Sequence, residues 1–198
     1  MAYSDFTVET LQTKLGISLR EVSNSFESVT AISPSQPLVA MLERGMPVVL
    51  GANKEKARSE WLIAPLLLEV REVRLRQISV FSGSDFKVDP KQGLSGFCDF
   101  LISRSPLQMA VESPVVAIVE AKHEDLNAGI PQCLAAMYAA RLFNEKRGKS
   151  LETVYGATTS GTVWRFLRLT GMQAESDLTE YHIHEVGKIL GILVHMAA

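Results

Sequence analysis

The chain is poor in the features that assign a protein at first reading. Cysteine occurs only at Cys98 and Cys133, far apart and without CxxC spacing. That argues against a zinc module, and the apolar surroundings of both suit reduced core residues. No apolar run reaches the ~20 residues of a membrane span, so no membrane partner is expected. The opening MAYSDFTVET lacks a basic start and an apolar run. It does not read as a secretory signal, and the expected location is cytoplasmic. Neither sign of charge dominates, with 20 Lys+Arg against 22 Asp+Glu and a net charge of -2. A protein that coats nucleic acid nonspecifically is usually basic, so this balance argues mildly against that role. Internal repeats and low-complexity segments are also missing.

What is present fits one sizeable core. At 198 residues, 46% hydrophobic and 21% charged, the composition is that of a single globular domain. The reading is one domain over 1–198, with 1–52 as a helical and loop extension packed on the core. Basic clusters at Lys54, Lys56 and Arg58, at Arg71, Arg74 and Arg76, and at Arg141, Lys146, Arg147 and Lys149 read as solvated helix faces.

Periodicity predicts a short amphipathic helix over 5–15, stopped by Gly16. Residues 18–35 read as a loop or small β element. Pro37–Arg44 reads as a brief helix stopped by Gly45, with a turn-prone stretch to Asn53. A longer helix is predicted over 53–73, with Asn53 as N-cap and a kink at Pro65. Glu60 shares a face with Ile63, Ala64 and Leu67, and that face is expected to turn inward; the alternative is a Glu at the helix edge that snorkels out or pairs with a nearby basic residue. Ile78–Ser82, Phe97–Ser103 and Val115–Lys122 read as strands. A helix over Asn127–Arg147 follows, with Pro131 in its first turn and Gly148 at its end. Val154–Thr159 and Thr162–Leu169 form a hairpin about Ser160-Gly161. A polar linker runs through Asp177, Tyr181–Ile183 forms a short strand, and a helix over Glu185–Met196 closes the chain. The fold class is α/β (α+β): three consecutive strands and a helical crossover imply a mixed sheet with helices packed on it.

Two of these strands carry charge where a buried strand should not. Alternation puts Asp99 with Phe97 and Leu101, and Cys98 with Phe100 and Ile102. In the later strand Glu120 and Lys122 share a face with Val116 and Ile118. Hydrolysis of a phosphodiester needs an activated water and stabilised charge on the phosphoryl oxygens, and a divalent cation supplies both. Mg²⁺ is commonly held by one or two carboxylates with waters and phosphate. Asp99 and Glu120 on neighbouring strands have the right chemistry, with the Ala121 carbonyl as a further ligand. Lys122 would hold the attacking water or stabilise phosphate charge. The alternative is an ordinary Glu120–Lys122 ion pair at a strand end, with His123, Glu124 and Asp125 a solvated loop.

The pattern of Asp99 on one strand and Glu120-Ala121-Lys122 closing the next resembles the PD-(D/E)XK nuclease superfamily, the restriction-endonuclease-like fold. The overall look is similar to uncharacterised single-domain cyanobacterial members. The likeness runs from about Asn53 onward and implies a core order αβββαβ. It implies Asp99, Glu120 and Lys122 as catalytic residues, joined by Glu60 on the first core helix and Gln132 on the helix after the third strand. It also implies Mg²⁺, with Mn²⁺ as substitute, bound by Asp99, Glu120 and Ala121. The activity implied is an endo- or exodeoxyribonuclease, with DNA as partner and a homodimer for double-strand cleavage. Cys98 stands where a Pro often precedes the Asp. Ala136 stands where one branch carries Tyr, with Tyr138 two residues further. The alternatives are a catalytically inactive module of this fold that binds a protein or nucleic acid, and an unrelated α/β protein.

Overall fold

The computed structural model describes residues 2–123 and 125–198. Glu124, read above as part of a solvated loop, lies outside them. Among the described residues eight strands form one mixed sheet. In chain order they are β1 (Ser18–Val22), β2 (Ser79–Asp85), β3 (Phe97–Ser103), β4 (Val115–Ala121), β5 (Thr153–Thr159), β6 (Val163–Thr170), β7 (Gln173–Asp177) and β8 (Tyr181–His182). The spatial order is β1-β7-β6-β5-β4-β3-β2, with β8 beside β6. β2, β3 and β4 form an antiparallel meander. Helix α5 (Leu126–Glu145) then crosses over, so that β5 lies parallel to β4.

Helices cover both faces of the sheet. On one side α1 (Val8–Leu15) and α5 pack through Leu11, Leu15, Cys133, Leu134 and Met137 onto Leu101, Ile118 and Leu167. On the other lie α2 (Gln36–Ala52), α4 (Ala64–Val73) and α6 (Val186–Met196), whose Leu38, Leu66, Leu67 and Leu190 meet Phe100, Val119 and Phe166. Both cysteines are free and buried. No helix among the described residues is long and apolar enough to cross a membrane.

Three departures from the sequence reading bear on the site. The 53–73 helix forms as α3 (Glu55–Arg58), a π-helical turn over Ser59–Ile63, and α4. Pro65 stands at the start of α4, where its missing N–H costs little. Asn53 is not the N-cap: it closes α2 in the left-handed region at φ 45, and Lys54 precedes α3. Arg58 is not on a solvated face. It is buried and donates to the Ser160 carbonyl at 2.9 Å and to Asn53 Oδ1 at 3.2 Å, tying α3 to the β5–β6 turn.

The N-terminal segment does more than pack on the core, because β1 joins the sheet edge parallel to β7. Helix α2 runs through Gly45 and Pro47. Gly45 is needed there, since a Cβ would stand 2.8 Å from the Trp61 carbonyl oxygen. Pro131 lies inside α5 rather than in its first turn, and Asp125 caps that helix.

Candidate active site

The site is built where β3 and β4 part. Their ladder pairs Ile102 with Ala117, Leu101 with Ile118 and Phe100 with Val119, and reaches no further in that direction. At the other end a bulge leaves Val116 without a partner between Ala117 and Val115. The bulge flips the alternation before it. Val116 packs with Ala117, Val119 and Ala121, and Val115 with Ile118, instead of the strict alternation expected from sequence. Beyond the bulge the alternation is regular, and Glu120 shares the α5 side with Ile118.

On β2, Gly83 has a positive φ of 60. It sits between Ser82 and Ser84, whose partners Phe100 and Cys98 flank Asp99. The strand pair is locally distorted here. Cys98 packs with Leu101 and Cys133 instead of with Phe100 and Ile102 as alternation predicts.

Asp99 fills the opening. Its Oδ2 accepts the backbone N–H of Ala121 at 2.8 Å, where a regular ladder would supply a carbonyl. The N–H and C=O of one strand residue face the same neighbour, so the Ala121 carbonyl points to the same opening. Asp99 also lines an open cleft with Glu55, Lys56, Ser59, Ser82 and Gly83.

Glu120 is wholly buried. Its Oε2 accepts from Gln132 Nε2 at 2.7 Å. The same carboxamide accepts from Lys122 Nζ at 3.1 Å through Oε1. Only this orientation of Gln132 offers N–H to the carboxylate and oxygen to the ammonium. The Oε1 of Glu120 has no hydrogen-bond partner, and the Asp99 charge is near enough to raise the Glu120 carboxyl. Two like charges at close quarters are relieved by a proton or a cation between them. Burial first, and then the neighbouring Asp99 charge, push the Glu120 carboxyl well above the ordinary value of 4.5, with Lys122 pulling the other way. Burial and the Glu120 charge likewise push the Cys98 and Cys133 thiols up, so neither is a nucleophile at neutral pH.

The structure thus brings together Asp99, Glu120, Ala121, Lys122 and Gln132. It does not bring in Glu60, which is exposed and paired with Lys56 at 3.1 Å. The expectation of an inward face assumed a continuous 3.6-residue period, which the π turn over Ser59–Ile63 breaks. Ile63 and Leu67 are buried while Glu60 faces out. Glu55, Lys56 and Ser59 line the cleft instead. A sequence signal for them was limited to their place at the helix start beside Asn53. His123, read as a loop residue, bonds through Nε2 to the Asn53 carbonyl at 2.8 Å.

The donor set fits a small hard cation at modest strength. Among the described residues no group of three or more His, Cys, Asp or Glu side chains gathers to hold a metal. Two carboxylates and a carbonyl are nonetheless within the usual protein share of an Mg²⁺ shell, the rest being water and phosphate.

Comparison with protein-family models, with curated proteins and with solved structures returns no match.

Proposed function

We propose that the chain is an Mg²⁺-dependent nuclease of the PD-(D/E)XK type that hydrolyses phosphodiester bonds in DNA. The observation that carries this reading is the buried Glu120 carboxylate, its Oε1 without a hydrogen-bond partner and the Asp99 charge nearby. An uncompensated buried carboxylate is costly, and a cation between the two relieves both burial and repulsion. Asp99 and Glu120 would hold the metal with the Ala121 carbonyl. When bound, Mg²⁺ supplies Lewis-acid stabilisation of the phosphoryl oxygens and acidifies a bound water.

The chain's own residues do the rest. Gln132 fixes the Glu120 carboxylate through one end of its amide and the Lys122 ammonium through the other. Lys122, partly exposed beyond the end of β4, holds the attacking water or stabilises charge on the phosphate. Lys56, Ser59 and Ser82 line the approach to Asp99. They offer donors to a phosphate backbone. Cutting both strands in one encounter takes two such sites, so the reading includes a homodimer.

The test is cleavage of a panel of DNA forms with Mg²⁺ or Mn²⁺. Glu120→Ala and Lys122→Ala are expected to abolish it. Metal-independent cleavage, or none on any form, would overturn the reading. The second reading is a catalytically inactive module of the same architecture that binds a protein or nucleic-acid partner. The small donor set favours it, and normal folding with no Mg²⁺ heat in calorimetry would establish it.

A further inference from the structure

The Lys122 ammonium reaches Gln132 along a path that α5 leaves open at one residue. A Cβ at Gly129 would lie 2.8 Å from Lys122 Cε, 2.9 Å from Lys122 Cγ and 3.1 Å from Thr158 Cγ2. The first two are closer than real Cβ atoms approach, and Cγ is not a loose chain end. Gly129 is buried in the helix, without the positive φ that would explain a glycine by conformation. Glycine in a helix interior weakens it relative to alanine, and the following turns of α5 are rich in alanine. The residue therefore works against the helix and in favour of the lysine.

Thr158, on β5, borders the same space from the sheet side. It stands in register with Glu120 across the parallel β4–β5 pair. It is fully buried, and its hydroxyl has no hydrogen-bond partner. Its methyl group, not its hydroxyl, is what packs toward Gly129. A β-branched side chain is stiff about χ1, so that methyl is a fixed surface.

We infer that the missing Cβ of Gly129 leaves a slot, bordered by the Thr158 methyl, that takes the Lys122 stem and aims its ammonium at Gln132. Both are positioning residues. The slot itself is geometry, and its catalytic meaning rests on the nuclease reading above.

The experiment uses the full chain and follows the Gln132 side-chain amide resonances, which report the Lys122–Gln132–Glu120 bridge. Gly129→Ala is expected to shift them and to lower the melting temperature. In a Lys122→Ala background the same change is expected to cost clearly less, because only the 3.1 Å approach to the Thr158 methyl remains and alanine improves the helix. Thr158→Val keeps the wall and is expected to leave the Gln132 resonances in place, whereas Thr158→Ser removes it and shifts them. This pair decides the matter if Gly129→Ala does not fold. Where the wild type cleaves DNA, Gly129→Ala is expected to lower kcat by up to about 100-fold with little change in KM, as displacing a reactive group by ~1 Å does. A wild type without cleavage would sink the nuclease reading and leave the slot to be judged by resonance and stability alone. Unmoved Gln132 resonances in Gly129→Ala, or an equal melting loss in both backgrounds, would overturn the slot.

Discussion

Asp99 accepts the backbone N–H of Ala121 at 2.8 Å, a side chain standing in for a ladder bond where β3 and β4 separate. One carboxylate thereby does two jobs: it closes the sheet and faces Glu120. The jobs separate by mutation. Asp99→Ala loses the bond and is expected to cost about 1.5–3 kcal/mol, the worth of a hydrogen bond to a charged group. Asp99→Asn can still accept from Ala121. It should stay within about 1 kcal/mol of wild type yet lose Mg²⁺ binding. Urea unfolding and calorimetry on the two variants check the split.

The raised Glu120 carboxyl fixes the sign of a pH effect in chelator-treated protein. Folding raises this group above its ordinary value of 4.5, so the native state holds the proton more tightly than the unfolded chain. The stability it contributes is fully present below that value and is lost as pH rises through the folded pKa. Glu120→Gln stays neutral at every pH. It is therefore expected to gain stability over wild type at pH 7 and to show no such gain at pH 4. Melting curves across pH check it, and Mg²⁺ should narrow the gap at pH 7 by stabilising only the wild type.

On the nuclease reading, the cleft lining points to Glu55 rather than Glu60. Glu60 pairs on the surface with Lys56, and exposed pairs of this kind contribute about 0.2–1 kcal/mol. Glu60→Ala is expected to leave cleavage within about twofold of wild type, a change below 0.5 kcal/mol in the barrier. Glu55→Ala, on the cleft wall beside Asp99, is expected to reduce it by more. Parallel kinetics under one metal concentration distinguish them.

At the opposite edge of the sheet, buried Glu175 on β7 accepts from Arg20 Nε of β1 at 2.9 Å and from Arg168 Nε of β6 at 2.7 Å. Burial pushes its carboxyl up, but the two guanidinium groups outweigh burial and hold it below the ordinary value. Its contribution is present at neutral pH and is lost as pH falls through the folded pKa. Glu175→Gln is expected to cost on the order of 1–2 kcal/mol at pH 7, less than a fully buried pair because both arginines reach solvent. The loss should shrink below pH 4, as acid melting would show.

This edge also explains what the sequence hid. Strand β3 is legible as Phe97–Ser103 because its residues are apolar and the glycines before it mark a turn. Strand β7, Gln173–Asp177, reads as a polar linker. Its buried acids are satisfied by partners outside the strand. Glu175 takes arginines from two other strands, and Asp177 accepts from the Ser25 N–H and the Tyr181 hydroxyl. Periodicity cannot see such pairing. In the site, the E-x-K spacing put Glu120 and Lys122 on one side, whereas Gln132 entered only through the family resemblance. The opening between β3 and β4 lies where their register ends, at Phe100 and Val119. The failure at Glu60 depends on a π turn, and no local composition signals either.

The central claim is that Asp99 and Glu120 share one cation. Crystals soaked in Mn²⁺ test it most directly. The expected result is a single anomalous peak between the two carboxyl groups, lost in Asp99→Asn. No peak there, or one that persists without the Asp99 carboxylate, would contradict it.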